Sequence, residues 1–155
     1  MGLLKIVAIA AVFVALANAQ ISKPDIAVIK LRKTNPAVEW NSKSAISGDV
    51  NCDGKLDTVV LGSEKNSVVV AVVSGAQSDN PQVFSFPISR DTQDGFCASP
   101  TRIELSPLDC SSDEGALPGC TPNKSCQSFT VIDTECDPFN FYWDSSRKTI
   151  SWWRN

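Results

Sequence analysis

Residues 49–57, Asp-Val-Asn-Cys-Asp-Gly-Lys-Leu-Asp, constrain this chain more than any other segment. Oxygen-bearing side chains stand at positions 1, 3, 5 and 9 of the nonapeptide, with glycine at position 6. A hard cation such as Ca²⁺ takes six to eight oxygen ligands at short range, and alternating Asp and Asn around a tight glycine turn supply them. The candidate metal ligands are the side chains of Asp49, Asn51, Asp53 and Asp57 and the backbone carbonyl of Lys55. Gly54 admits the positive φ that folds such a loop back on an ion. A plain Asx/Gly turn uses the same residue types. The expected role of Ca²⁺ is structural, since the clustered aspartates repel one another without it.

The residues beyond the loop decide its context. An EF-hand needs a bidentate Glu at position 12 and a helix after it. Here position 12 is Val60, within Thr58-Val59-Val60-Leu61, and Val68-Val69-Val70-Ala71-Val72-Val73 comes next. β-branched runs of this kind predict strands, so the loop sits between strands and the EF-hand and dockerin arrangements are excluded. The Val68–Val73 run is apolar without alternation, the pattern of a strand buried on both faces.

The N-terminal end reads as an export signal. Lys5 precedes an apolar stretch from Ile6 to Leu16, and Ala17-Asn18-Ala19 forms an A-x-A cleavage site. Residues 1–19 are the expected signal peptide, and residues 20–155 a single secreted β domain. The stretch is shorter than a membrane-spanning helix, so no membrane insertion is expected after signal removal. The expected location is the periplasm or the outside of the cell.

Six cysteines, Cys52, Cys97, Cys110, Cys120, Cys126 and Cys136, all lie in that exported portion. An even count in a secreted chain predicts three disulfides, and six cysteines allow 15 pairings. Cys120 and Cys126 flank a Pro-Asn-Lys-Ser turn and form the first expected pair. Cys52 is expected to staple the loop to the Cys-rich segment. That segment, residues 89–128, is punctuated by Gly and Pro and has one convincing strand-like run, Thr101–Leu105; a connection this long is expected to be held by cross-links.

Elsewhere, Ile26–Leu31, Val83–Phe86 and Ser128–Ile132 read as strands, with Asn66 suited to the positive φ of a turn at residues 62–67. The tail, Phe139–Trp143 then Thr149–Trp153, reads as a β-hairpin with Phe139, Phe141 and Trp143 on one face by period-2 alternation. Those aromatics suit a core; the sharper expectation offers Tyr142, Trp152 and Trp153 to a protein or glycan. Asp133, Glu135 and Asp137 read as exposed charges before a strand, with a second cation site as the alternative.

Charge and composition exclude several functions. The net charge is −3 and there is no basic patch of useful size, so nucleic acid is not an expected partner. The chain has no histidine, which removes His-activated nucleophiles and His-based zinc sites. A small carboxylate-based hydrolase remains chemically open, yet the most clustered carboxylates are those assigned to the metal.

From Gly48 to Val60 the sequence resembles the FG-GAP/VCBS calcium-loop repeat of integrin-like β-propellers and bacterial surface proteins. The likeness covers about residues 45–73. It implies Ca²⁺ held between two strands by Asp49, Asn51, Asp53, Lys55 and Asp57. The Phe-Gly…Gly-Ala-Pro consensus is missing, and Cys52 stands at a position commonly glycine. A propeller needs about four to eight blades, so a single loop implies a lone calcium-braced unit rather than a propeller. The loop placed between β-strands is also similar to that of small periplasmic inhibitors and immunity proteins of lysozyme-type peptidoglycan hydrolases. The expected fold is mainly β: a small antiparallel unit with a calcium loop, a disulfide-linked loop-rich segment and an aromatic hairpin. The expected function is a secreted, calcium-stabilised binding or structural module without catalytic activity.

Overall fold

The computed structural model describes residues 22–75, 80–100 and 102–154; the expected signal peptide lies outside them. One helix, α1 (Lys23–Thr34), precedes ten strands: β1 (Glu39–Gly48), β2 (Asp57–Glu64), β3 (Ser67–Val73), β4 (Gln82–Pro87), β5 (Arg102–Pro107), β6 (Ser111–Ser112), β7 (Gly115–Ala116), β8 (Gln127–Ile132), β9 (Phe139–Asp144) and β10 (Thr149–Trp153). They form two antiparallel four-stranded sheets, ordered β1-β2-β3-β4 and β10-β9-β8-β5, and a short β6-β7 ladder. The fold is mainly β and is neither a closed barrel nor a propeller.

The valine-rich strands explain the layering. On β2 and β3, Val59, Leu61, Val68, Val70 and Val72 face the second sheet, where Phe129, Val131, Phe139, Phe141 and Ile150 meet them. The alternate set, Val60, Val69, Ala71 and Val73, faces α1 and packs on Ala27, Val28 and Leu31. The two central strands of the first sheet, β2 and β3, are therefore buried on both faces, which is why Val68–Val73 shows no alternation. Helix, sheet and sheet stack as three layers.

Aromatic rings fill the space between the sheets. Phe129 stacks on Phe141 with centroids 4.6 Å apart, and Phe139 lies 4.5 Å from Phe96 and 4.8 Å from Phe86. The tail forms the predicted hairpin, paired from Thr149↔Asp144 to Trp153↔Asn140. Phe139 and Phe141 are fully buried, and Trp143 packs against the same core. Gln82 on edge strand β4 accepts the Ile150 amide at 2.7 Å, tying the two sheets at one side.

Two local expectations are corrected. Ile26–Leu31 lies in a helix, not a strand. Ser22 and Asp25 make a reciprocal capping box and a proline occupies the first turn, so helix initiation overrides the β-branched composition. In the turn between β2 and β3 the positive φ falls at Lys65 (53°) instead of Asn66; the Asn66 side chain donates to the Ile88 carbonyl.

Candidate functional site

The loop at residues 49–57 connects β1 to β2 and folds around its own side chains. Asp49 Oδ1 and Asn51 Oδ1 both accept the Asp53 amide, at 3.1 and 3.0 Å. Asp49 Oδ2 accepts the Gly54 amide at 2.9 Å, and Asp53 Oδ1 accepts that of Lys55 at 2.8 Å. Positive φ at Cys52 (60°) and Gly54 (81°) turns the chain back. The Asn51 side chain also donates to Ser74 Oγ, just beyond β3.

Asp57 closes the loop from below. It is fully buried. Its Oδ2 accepts the Val50 and Asn51 amides at 3.0 and 3.1 Å, and its Oδ1 accepts Gly75 at 3.2 Å. Burial is the main influence on its pKa and pushes it up to about 6; the three amides oppose the shift and the Asp53 charge adds to it. Ion pairs are found elsewhere, including Arg90–Glu135, Arg102–Glu104 and Arg147–Asp144.

Among the described residues no three His, Cys, Asp or Glu side chains converge as a metal cluster. The loop carboxylates instead engage the loop's own amides. The donor set is still all oxygen and of the hard type a group-2 cation takes. Asp49 and Asn51 aim oxygens at one shared amide, and Asp57 is buried without an ion pair to a cation recorded among the described residues. The residue chemistry therefore fits Ca²⁺.

The disulfides are Cys52–Cys126, Cys97–Cys136 and Cys110–Cys120. The expected Cys120–Cys126 pair is overturned, while the staple from Cys52 to the Cys-rich segment is present. Cys120 turns instead toward Cys110 across the β6-β7 ladder, where the Leu117 amide donates to the Cys110 carbonyl. Cys126 is buried beneath the loop.

Sequence reasoning missed two buried aspartates. Asp133, expected to be exposed, is 1 % exposed. It accepts four amides, from Cys97, Ala98, Glu135 and Cys136. Burial alone would push its pKa up; the four amides outweigh that and hold it below the usual carboxylate range. Asp144 is likewise buried and caps the hairpin turn, accepting the Ser146 and Arg147 amides. Both occupy ordinary turn contexts in the sequence, and nothing in their spacing separates them from solvated charges.

The aromatic candidates divide. Tyr142 is buried and donates its hydroxyl to the Pro118 carbonyl at 3.1 Å, so it is no contact residue. The disulfide-stapled loop lies over it. Trp152 is half-buried, edge-on to Phe86 at 5.4 Å and tilted over Phe139 at 5.3 Å. Trp153 points to the opposite face of its strand and lines a cleft of about 320 Å³ between the second sheet and the stapled loop. A larger cleft of about 780 Å³ opens beside Cys97–Cys136, with Trp152, Arg90 and Arg154 on its walls. Arg154 is committed there, stacking 4.8 Å over the Phe139 ring and donating to the Gln93 carbonyl.

Comparison with protein-family models, with curated proteins and with solved structures finds no match to this chain.

Proposed function

We propose that this chain is a secreted binding module whose two sheets are locked together at a calcium loop. The observation that carries the reading is Asp57, a carboxylate sealed inside a loop of oxygen donors with no cationic side chain beside it. A buried carboxylate is costly even where backbone amides solvate it, and a divalent ion held by Asp49, Asn51, Asp53, Asp57 and the Lys55 carbonyl would reduce that cost. Ca²⁺ would supply charge neutralisation there, as in the FG-GAP/VCBS-type loop the sequence resembles.

Three disulfides suit an oxidising compartment, and no helix among the described residues is long and apolar enough to cross a membrane. Those features, together with the export signal expected from the sequence, support secretion or periplasmic residence. Binding, not catalysis, is the task best supported. The chain has no histidine, and its buried aspartates are occupied by backbone amides, so none is free to move a proton to a substrate.

Titrating chelator-treated protein with Ca²⁺ tests this by calorimetry. The expected affinity is that of extracellular modules, a Kd of about 10⁻⁴–10⁻³ M. The Asp53→Ala variant is expected to lose the binding heat. Equal heats in the two proteins, or none in either, would contradict the reading.

A further inference from the structure

The outer face of the second sheet differs from its inner face in a way the core does not require. The inward positions are mostly aromatic or aliphatic, with Gln127 at the start of β8 the exception, whereas the outward row runs Trp153, Asn140, Thr130 and Glu104 across the four strands. Next to that row, Ser106 and Ser128 face each other with hydroxyls 2.9 Å apart, and Thr130 donates to the Asn140 side chain at 3.1 Å. With the Arg102–Glu104 ion pair at its far end, the row sets a single indole beside hydroxyl and amide groups, an amphipathic surface that is flat and apolar at Trp153 and able to donate and accept elsewhere.

A wall stands over this face. The Cys110–Cys120 disulfide closes residues 110–120 into a small ring. The ring is held down by the Tyr142 hydroxyl on the Pro118 carbonyl and by the Ser145 amide on the Gly119 carbonyl at 2.9 Å. Between ring and sheet lies the cleft of about 320 Å³ that Trp153 lines, at the small end of the range for ligand sites, about 300–1,000 Å³. Its walls are fixed by covalent and hydrogen bonds, which lowers the ordering cost of binding.

The lining sets the ligand's charge. Asp109 and Asp113 border the cleft, and no Lys or Arg lines it among the described residues. An anionic ligand would meet two acids and no cation. A neutral ligand with many hydroxyls and one apolar face matches the indole, the amide, the hydroxyls and the carboxylate acceptors together.

We infer that this cleft is a saccharide site, taking a short unit of a neutral oligosaccharide with one sugar face on Trp153 and its hydroxyls on Asn140, Ser106, Ser128 and Asp113. The inference deepens the binding-module reading and rests on it.

The probes are chitotriose, cellotriose and maltotriose, with trigalacturonate as the anionic control, each titrated into the calcium-loaded protein and followed by NMR of the indole N–H signals. At least one neutral trisaccharide is expected to shift the Trp153 signal with saturation, and the anion is not. Trp153→Ala is expected to weaken that binding at least about tenfold, the loss of one good contact. Trp153→Phe is expected to keep more of it than Trp153→Ala, and Asn140→Ala, which leaves the indole in place, is expected to weaken it as well.

Binding by Trp153→Ala as tight as by the parent, or no shift with any neutral probe at about 10 mM, beyond the weak end of the affinity scale, would overturn the site. Saturation by trigalacturonate alone would overturn the charge assignment and the inference with it. A protein captured by the folded chain without saccharide binding would sink this inference and leave the module reading standing; absence of calcium binding would sink the calcium reading alone.

Discussion

The backbone carbonyl of Asp49 accepts the amide of Gln127 at 2.8 Å, and the Cys52–Cys126 disulfide lies beside that bond. One end of the loop thus belongs to the first sheet and is pinned to the first residue of β8 in the second. Whatever loosens residues 49–57 also loosens the seam between the sheets.

Removing that staple is expected to be expensive. The Cys52→Ala/Cys126→Ala pair opens a loop with a sequence separation of 74. The chain-entropy relation gives a loss of about 4 kcal/mol for a closure of this length. Urea unfolding of the double variant against the parent measures it, and calcium affinity is expected to fall in the same variant. A loss below about 1 kcal/mol would mean that the hydrogen bond and packing hold the seam unaided.

Asp57 gives the calcium-free protein an unusual pH dependence. Its carboxyl is raised from 3.8 to about 6 by folding, so the folded chain holds the proton more tightly than the unfolded chain does. Stability from this group is full below pH 3.8 and is lost as pH rises to about 6, by up to roughly 3 kcal/mol. Denaturant midpoints in chelator at pH 4 and pH 7 check the sign, with Asp57→Asn expected to flatten the slope. Asp133 acts oppositely: its carboxyl is lowered, so its contribution is present above the ordinary aspartate range and lost as pH falls beneath it.

Replacing Asp133 separates its two roles. Asp133→Ala strands four amides around the Cys97–Cys136 disulfide and is expected to cost about 3 kcal/mol, since buried unpaired donors cost about 1–3 kcal/mol each before relaxation. Asp133→Asn keeps one acceptor oxygen and is expected to lose about half as much. Thermal melts of the two variants decide this, and equal losses would show that charge, not acceptor geometry, dominates.

Gly119 is expected to tolerate no side chain. Its φ is +69°, and a Cβ there would overlap the Asp144 carboxylate. Gly119→Ala should destabilise by about 2 kcal/mol or more and displace the ring that covers Tyr142. A melting temperature within a degree of the parent would show that the hairpin turn yields freely.

The fold was legible where period and composition agreed. Val68–Val73 announced a strand covered on both faces, and Phe139–Trp143 with Thr149–Trp153 announced a hairpin, because each reports its neighbours through burial alone. Ile26–Leu31 reads as a strand from its β-branched residues alone, whereas the Ser22–Asp25 capping box starts a helix there. Pairing of the cysteines was not legible, since Cys110 and Cys126 flank Cys120 at comparable spacing and only the ladder between β6 and β7 selects one. The burial of Asp133 and Asp144 was hidden for a similar reason: their amide partners are assembled by turns, which leave no period. Within the candidate site, the turn at residues 49–57 was readable from its Asp, Asn and Gly spacing, whereas the burial of Asp57 came only with the packing of β2.

The most direct test is the melting temperature of the intact protein with Ca²⁺ and with chelator at neutral pH. At tenfold excess over Kd, Ca²⁺ is expected to stabilise by about 1.4 kcal/mol, a rise of roughly 3–6 °C for a domain of this size, and Asp53→Ala is expected to abolish the difference. Identical midpoints for the parent in the two buffers would contradict the account.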